Sequence, residues 1–266
     1  MSAQNEATPD WPAAGQVSED LSSAFQQTHS AVQWIARIVN SYAIPSSDGS
    51  HLHLRWNADD GAFESTTVLE RFTVELRLPK FVLQFKENGK RTKHEVELDD
   101  KSPARIEAWT LIELLHRNID RDVYTKTLPY DVSGLMSGDA EDYRTLGLEQ
   151  GFEEMTAWIG SSARMLATAA DAVVAAGEGT CDGVFLAPET FSLFARVHPK
   201  TDRPAIGSFV EIGLCADARS DGGAHFYAQS SRGDARAELP LADAWQAEDV
   251  VKGLDLETRL QRLSSG

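Results

Sequence analysis

The stretch that most constrains the fold is "FTVELRLPKFVLQFKENGKRTKHEVEL", residues 72–98. Apolar and polar residues alternate on both sides of Asn88-Gly89, the dipeptide favoured in a two-residue type I′ turn. A chain with this pattern predicts an antiparallel hairpin. Folding it about that turn sets Phe85 opposite Thr92, Leu83 opposite His94 and Phe81 opposite Val96. On the preceding strand Phe72, Val74, Leu76 and Leu78 face in, while Thr73, Glu75 and Arg77 face out. His94 then points with the apolar residues and reads as a satisfied sheet histidine.

Around this hairpin the period switches between two and 3.6. Residues 1–17 are polar, with Pro9 and Pro12, and read as a disordered tail. Ser18 caps a helix that carries Leu21, Phe25, Val32, Ile35, Val39 and Tyr42 and stops at Pro45. His29 lies near its apolar face, as a core-edge histidine with a local partner. Short strands follow in "HLHLRWN" and "FESTTVL". Ser102-Pro103 opens a second helix, with Ala108, Leu111, Ile112, Leu115 and Ile119 as the expected buried stripe. A short strand is expected in "DVYTKTLP". A long connection, "YDVSGLMSGDAEDYRT", leads to a third helix whose stripe runs from Leu148 to Val173 and stops at Gly177. Its small-residue run suits close packing on a sheet. More strands follow in "GVFLAPETFSLFARVH", "SFVEIGLCAD", "AHFYAQSS" and "ARAEL", then a closing helix in "AEDVVKGLDLETRLQRL".

The order predicts an α+β fold: two antiparallel β-meanders, each flanked by helices as helix–strands–helix, with duplication as one origin. The expected divisions are the tail 1–17, a first half 18–128, an acidic loop 129–144 and a second half 145–266. The two halves are expected to pack as one domain.

Several local phrases resemble an uncharacterised bacterial family catalogued as a domain of unknown function. The phrases are "WIARIVNSY", the histidine-rich "SHLHLRW", the hairpin itself, "KTLPYDVSG" and "ETFSLFARVHP". The similarity spans most of residues 20–260. Where that family is richer in His and Trp, this chain reads "CDGVFLAP". The resemblance implies fold and a bacterial origin, and no activity.

Charge and motifs exclude more than they assign. The net charge is −16, which repels phosphate backbones, so nucleic acid is excluded as a partner. No run reaches the roughly 18 apolar residues of a membrane helix, so no membrane insertion is expected. The N-terminus lacks a basic start and an apolar core, so no secretory signal is read. Two cysteines, Cys181 and Cys215, and no C-x-x-C fit a cytoplasmic protein; both thiols are read as buried small hydrophobes. Phosphate-loop, nucleophile-elbow and dinucleotide motifs are missing.

His51 and His53 alternate, and on a strand both imidazoles would share one face. Two ligands without a well-spaced third do not make a metal site, so no metal and no cofactor are predicted. In "AHFYAQ", His225, Tyr227 and Gln229 share one face. His51, His53, Trp56, His225 and Tyr227 are therefore the candidate ligand-binding residues. They would line a small-molecule pocket between the two halves. The alternative is a non-catalytic module that meets a partner protein through the loop Tyr130–Thr145.

Overall fold

The computed structural model describes residues 18–78, 80–175, 179–199, 209–215, 225–231, 237–240 and 247–254. The tail 1–17, the expected stop at Gly177 and most of the last predicted helix lie outside the described residues.

The chain divides into two compact units. The N-terminal unit holds residues 18–157 and 185–191; the C-terminal unit holds 158–184 and the described residues from 192 on. The division falls inside one helix and one strand, and each unit is described by itself.

In the N-terminal unit, α1 spans Glu19–Tyr42, and the Ser18 hydroxyl accepts from the Leu21 N–H as its cap. Leu21, Val32, Trp34, Ile35, Ile38 and Val39 are buried. Strands β1 (Leu54–Asn57), β2 (Ala62–Glu64), β3 (Phe72–Arg77), β4 (Val82–Glu87) and β5 (Lys90–Glu97) follow, then α2 (Pro103–His116) and the start of α3 (Glu149–Ala175). Strand β6 (Gly179–Ala187) pairs its Phe185 and Leu186 with Arg55 and Leu54 of β1. The C-terminal unit adds β7 (Ser192–Pro199), β8 (Val210–Cys215), β9 (His225–Ser230), β10 (Ala237–Pro240) and α4 (Ala247–Gly253).

The α+β class holds, and every pairing among these strands that can be described is antiparallel. In place of two separate sheets there is one hydrogen-bonded order of ten strands, β10-β9-β8-β7-β6-β1-β2-β3-β4-β5. Consecutive strands are neighbours from β1 to β5 and again from β6 to β10.

The hairpin turn is as predicted: Asn88 and Gly89 both take positive φ, 51° and 74°. The register is not. It is regular next to the turn, with Lys86 opposite Arg91, and then shifts, so that Leu83 lies opposite Val96 rather than His94. The shift is an irregularity between Gln84 and Lys86. Gln84 Nε2 donates to the Thr92 carbonyl at 2.8 Å and the Thr92 hydroxyl to the His94 carbonyl at 3.2 Å. These side chains take over backbone acceptors that the displaced ladder leaves, as bulges require.

Three other expectations are corrected. Glu75 does not face out to water; it is fully buried, and Arg77, Lys86 and Arg91 approach it at 3.3, 3.7 and 2.5 Å. The stripe expected on α2 is out of phase. Ile106, Thr110, Glu113 and Leu114 are buried, whereas Ile112 and Leu115 are 49% and 51% exposed. "DVYTKTLP" forms a 3-10 turn at Arg121–Val123 and no strand.

The long connection before α3 is fastened to α1. Gln27 brackets Arg144, donating to its carbonyl at 2.9 Å and accepting from its N–H at 2.6 Å. Ser30 accepts from the Met136 N–H, and Gln33 accepts from the Tyr130 hydroxyl. Trp34 Nε1 donates to the buried Tyr143 hydroxyl, whose pKa burial pushes up to about 12. The buried polar residues of α1 thus satisfy a loop that lacks a ladder of its own.

Candidate functional site

The stretch "SDGSHLHLRW" begins as a turn. Gly49 takes φ 73°, residues Ser50–Leu52 form a 3-10 helix, and β1 starts only at Leu54. His51 therefore sits in that helix and His53 at its C-cap, and the two do not alternate on a strand. His51 Nδ1 accepts from the Ser46 N–H at 3.2 Å and lies 3.1 Å from the Ser46 hydroxyl. The Ser50 N–H donates to Asp48 at 3.1 Å. Local side-chain bonds of this kind offer the backbone an alternative to a strand. Burial lowers the His51 pKa, against the opposing charge of Asp48. A neutral imidazole that accepts at Nδ1 is what this turn needs. Trp56 does lie on a strand, β1, with its ring 5.1 Å from Phe63. Its indole N–H is buried without a hydrogen-bond partner among the described residues.

His225 and Tyr227 occupy β9 as expected, on the face that also carries Gln229. Register extends this face across four strands. Tyr227 is opposite Gly213 on β8 and Glu238 on β10; Glu211 is opposite both Gln229 and Arg196 of β7. The reverse face carries Val197, Val210, Ile212, Leu214, Phe226 and Ala228, all buried.

The polar face is wired together. The Tyr227 hydroxyl donates to Glu211 Oε1 at 2.8 Å, and Arg196 Nε lies 3.3 Å from Glu211 Oε2. The Arg196 guanidinium stands 4.3 Å from the Phe209 ring centre and 5.3 Å from that of Phe194. His225 Nε2 is 3.5 Å from Glu238 Oε1. Tyr227 and His225 are only 5% and 7% exposed. The phenol ring lies over Gly213, where a Cβ would come within 2.1 Å of it, so the absence of a side chain at 213 is what admits the ring.

The five sequence candidates divide between the units: His51, His53 and Trp56 in the N-terminal one, His225 and Tyr227 in the C-terminal one. Arg196, Glu211, Gly213 and Glu238 were missed. Period-two alternation puts Arg196 with Phe194 and Glu211 with Gly213, but the cross-strand register that joins them to Tyr227 is not written in any one strand. A surface depression of the N-terminal unit, lined by Ser102, Arg105, Asp139 and Asp142 among others, holds none of the candidates. Neither Cys181 nor Cys215 is in a disulfide, and both are half-buried rather than buried; Cys181 Sγ accepts from the Gly183 N–H at 3.4 Å. No helix among the described residues is long and apolar enough to cross a membrane.

Compared with known proteins, the chain matches no family model, no curated protein and no solved structure.

Proposed function

We propose that the protein binds a small polar molecule on the β7–β10 face, through Tyr227, Glu211, Arg196, His225 and Glu238. The observation that carries this reading is the concentration of these five groups on one face, with Tyr227 and His225 almost wholly withdrawn from water. Burying a tyrosine hydroxyl and an imidazole is costly unless each is bonded. A few convergent polar groups beside aromatic rings, here Phe194 and Phe209, are what a ligand pocket supplies. The two carboxylates suit a ligand that brings hydroxyl or amino donors, and Arg196, held between Glu211 and two rings, fixes the acceptor geometry. Binding is the reading these groups support, and no reaction is proposed.

The partner-protein reading has less support. Part of the connection Tyr130–Thr145, which would make that contact, is fastened to α1 and its end to Asp99.

The test is a thermal-shift screen of the full chain against sugars, polyols, amino acids and amines. At least one compound should raise Tm, and the rise should be lost in Tyr227→Phe and Glu211→Gln. Tyr227→Phe keeps the ring over Gly213, so folding is preserved. A ligand shift that survives both substitutions, or no shift with any compound class, overturns the reading.

A further inference from the structure

Another cluster lies in the N-terminal unit, on residues that the face just described does not use. His94 stands on β5, the outermost strand of the order at this end; Glu113 and His116 stand on the last turn of α2. His94 Nδ1 is 3.1 Å from Glu113 Oε1, and His116 Nδ1 is 3.2 Å from the same oxygen. One ligand atom from each of the three residues lies within 4.8 Å of the other two. We propose that His94, Glu113 and His116 form a binding site for a divalent transition-metal ion of the zinc class.

Spacing is the first argument. Ligands at 2.0–2.1 Å from a tetrahedral zinc ion stand about 3.3 Å apart. The two imidazole–carboxylate separations are already close to that, so an ion could be taken up with small side-chain movements. Donor chemistry is the second. Two imidazoles and a carboxylate suit zinc, cobalt, nickel or copper, whereas magnesium and calcium prefer all-oxygen sets.

The third argument is support behind the ligands. Arg117 Nη1 donates to Glu113 Oε2 at 2.6 Å and to the Glu113 carbonyl at 2.8 Å. Arg117 Nε lies 3.2 Å from Glu87 Oε1, and its guanidinium sits 4.3 Å over the Phe85 ring. Glu113 thus has one oxygen anchored by Arg117, while the other faces the two imidazoles. Hydrogen-bonded carboxylates of this kind are how proteins aim metal ligands.

Exposure is the fourth. The Glu113 side chain is 3% exposed, but those of His94 and His116 are 58% and 50% exposed. An ion held here would have a buried anchor and remaining positions open to water or to an added ligand, the arrangement of three-ligand zinc sites. α2 is out of phase with its own hydrophobic residues here: Glu113 turns inward, while Ile112 and Leu115 are half exposed.

The test is isothermal titration of full-length, tag-free protein, stripped with chelator, against Zn2+. The expected result is one ion per chain with micromolar or tighter affinity, unaffected by excess Mg2+. His94→Ala and His116→Ala should each weaken binding at least 100-fold, and both change half-exposed side chains, so the fold persists by circular dichroism. His198→Ala, an exposed histidine beside Asp182, should leave the titration unchanged. Absence of binding by the folded protein overturns the proposal. So does binding that survives the His94→Ala, His116→Ala double substitution.

Discussion

Asp99 shows how much one carboxylate can organise. Its Oδ1 accepts from the Thr145 N–H at 2.6 Å and from the Leu146 N–H at 3.3 Å, which pins the end of the long connection. The Thr145 backbone bond is the largest cause of a pKa below the ordinary 3.8, against the opposing effect of burial. A depressed carboxyl contributes stability above its unfolded pKa and loses it as pH falls through the folded one. Asp99→Asn keeps an acceptor but removes the charge, so it should cost about 1–2 kcal/mol at neutral pH. In urea unfolding the gap from wild type should be constant down to about pH 5 and shrink below pH 4. A gap that does not change with pH would show that charge is not what holds the loop. Glu75, beside Arg77 and Arg91, and Glu113, beside Arg117, are more deeply buried, and each is a place where alternation or helical period pointed to the wrong face.

At the scale of elements, turn and cap chemistry was readable and phase was not. Asn88-Gly89, Ser18 and Ser102-Pro103 act through their own backbone geometry, so the sequence places them correctly. His29 has a partner, but a distant one rather than the local one expected: its Nε2 lies 3.0 Å from the carbonyl of Pro188, 159 positions along the chain. The register of β4 and β5 depends on a bulge stabilised by Gln84 and Thr92, side chains that look like ordinary strand residues. The phase of α2 depends on Glu113 and Arg117, an i, i+4 pair that reads as a solvated surface pair until Phe85 and Glu87 are seen beneath it. That is why the β5–α2 cluster was invisible from hydrophobicity alone, and why His51 and His53, the more conspicuous histidines, proved to belong to a turn. The packing of α1 on α3 has a sharper signature. A Cβ on Gly151 would meet the Asp20 backbone at 2.5 Å. Alanine gains up to about 1 kcal/mol in helix propensity over glycine, but overpacking against backbone costs about 1–3 kcal/mol. Gly151→Ala should therefore lower the urea midpoint. A raised midpoint would mean the two helices are free to separate.

For the whole molecule, the ten-strand order joins two runs of consecutive strands, and each unit offers a different chemistry. The C-terminal unit has a polar sheet face on which Tyr227 and His225 are buried and Glu238 is exposed, proposed above to bind a small polar ligand. The N-terminal unit has a solvent-open pair of histidines over an anchored glutamate. Both were misjudged or half seen from sequence for one reason: each is assembled across strands or between a strand and a helix, by pairings with no local marker. The claim that such pairings build a real site is tested most directly by locating an ion. Crystals of the full chain grown with Zn2+ and measured at the zinc absorption edge should give an anomalous peak about 2.0–2.2 Å from His94 Nδ1, His116 Nδ1 and Glu113 Oε1, absent from His116→Ala crystals. A strong peak elsewhere with none at this cluster, or the same peak in the variant, would contradict the account.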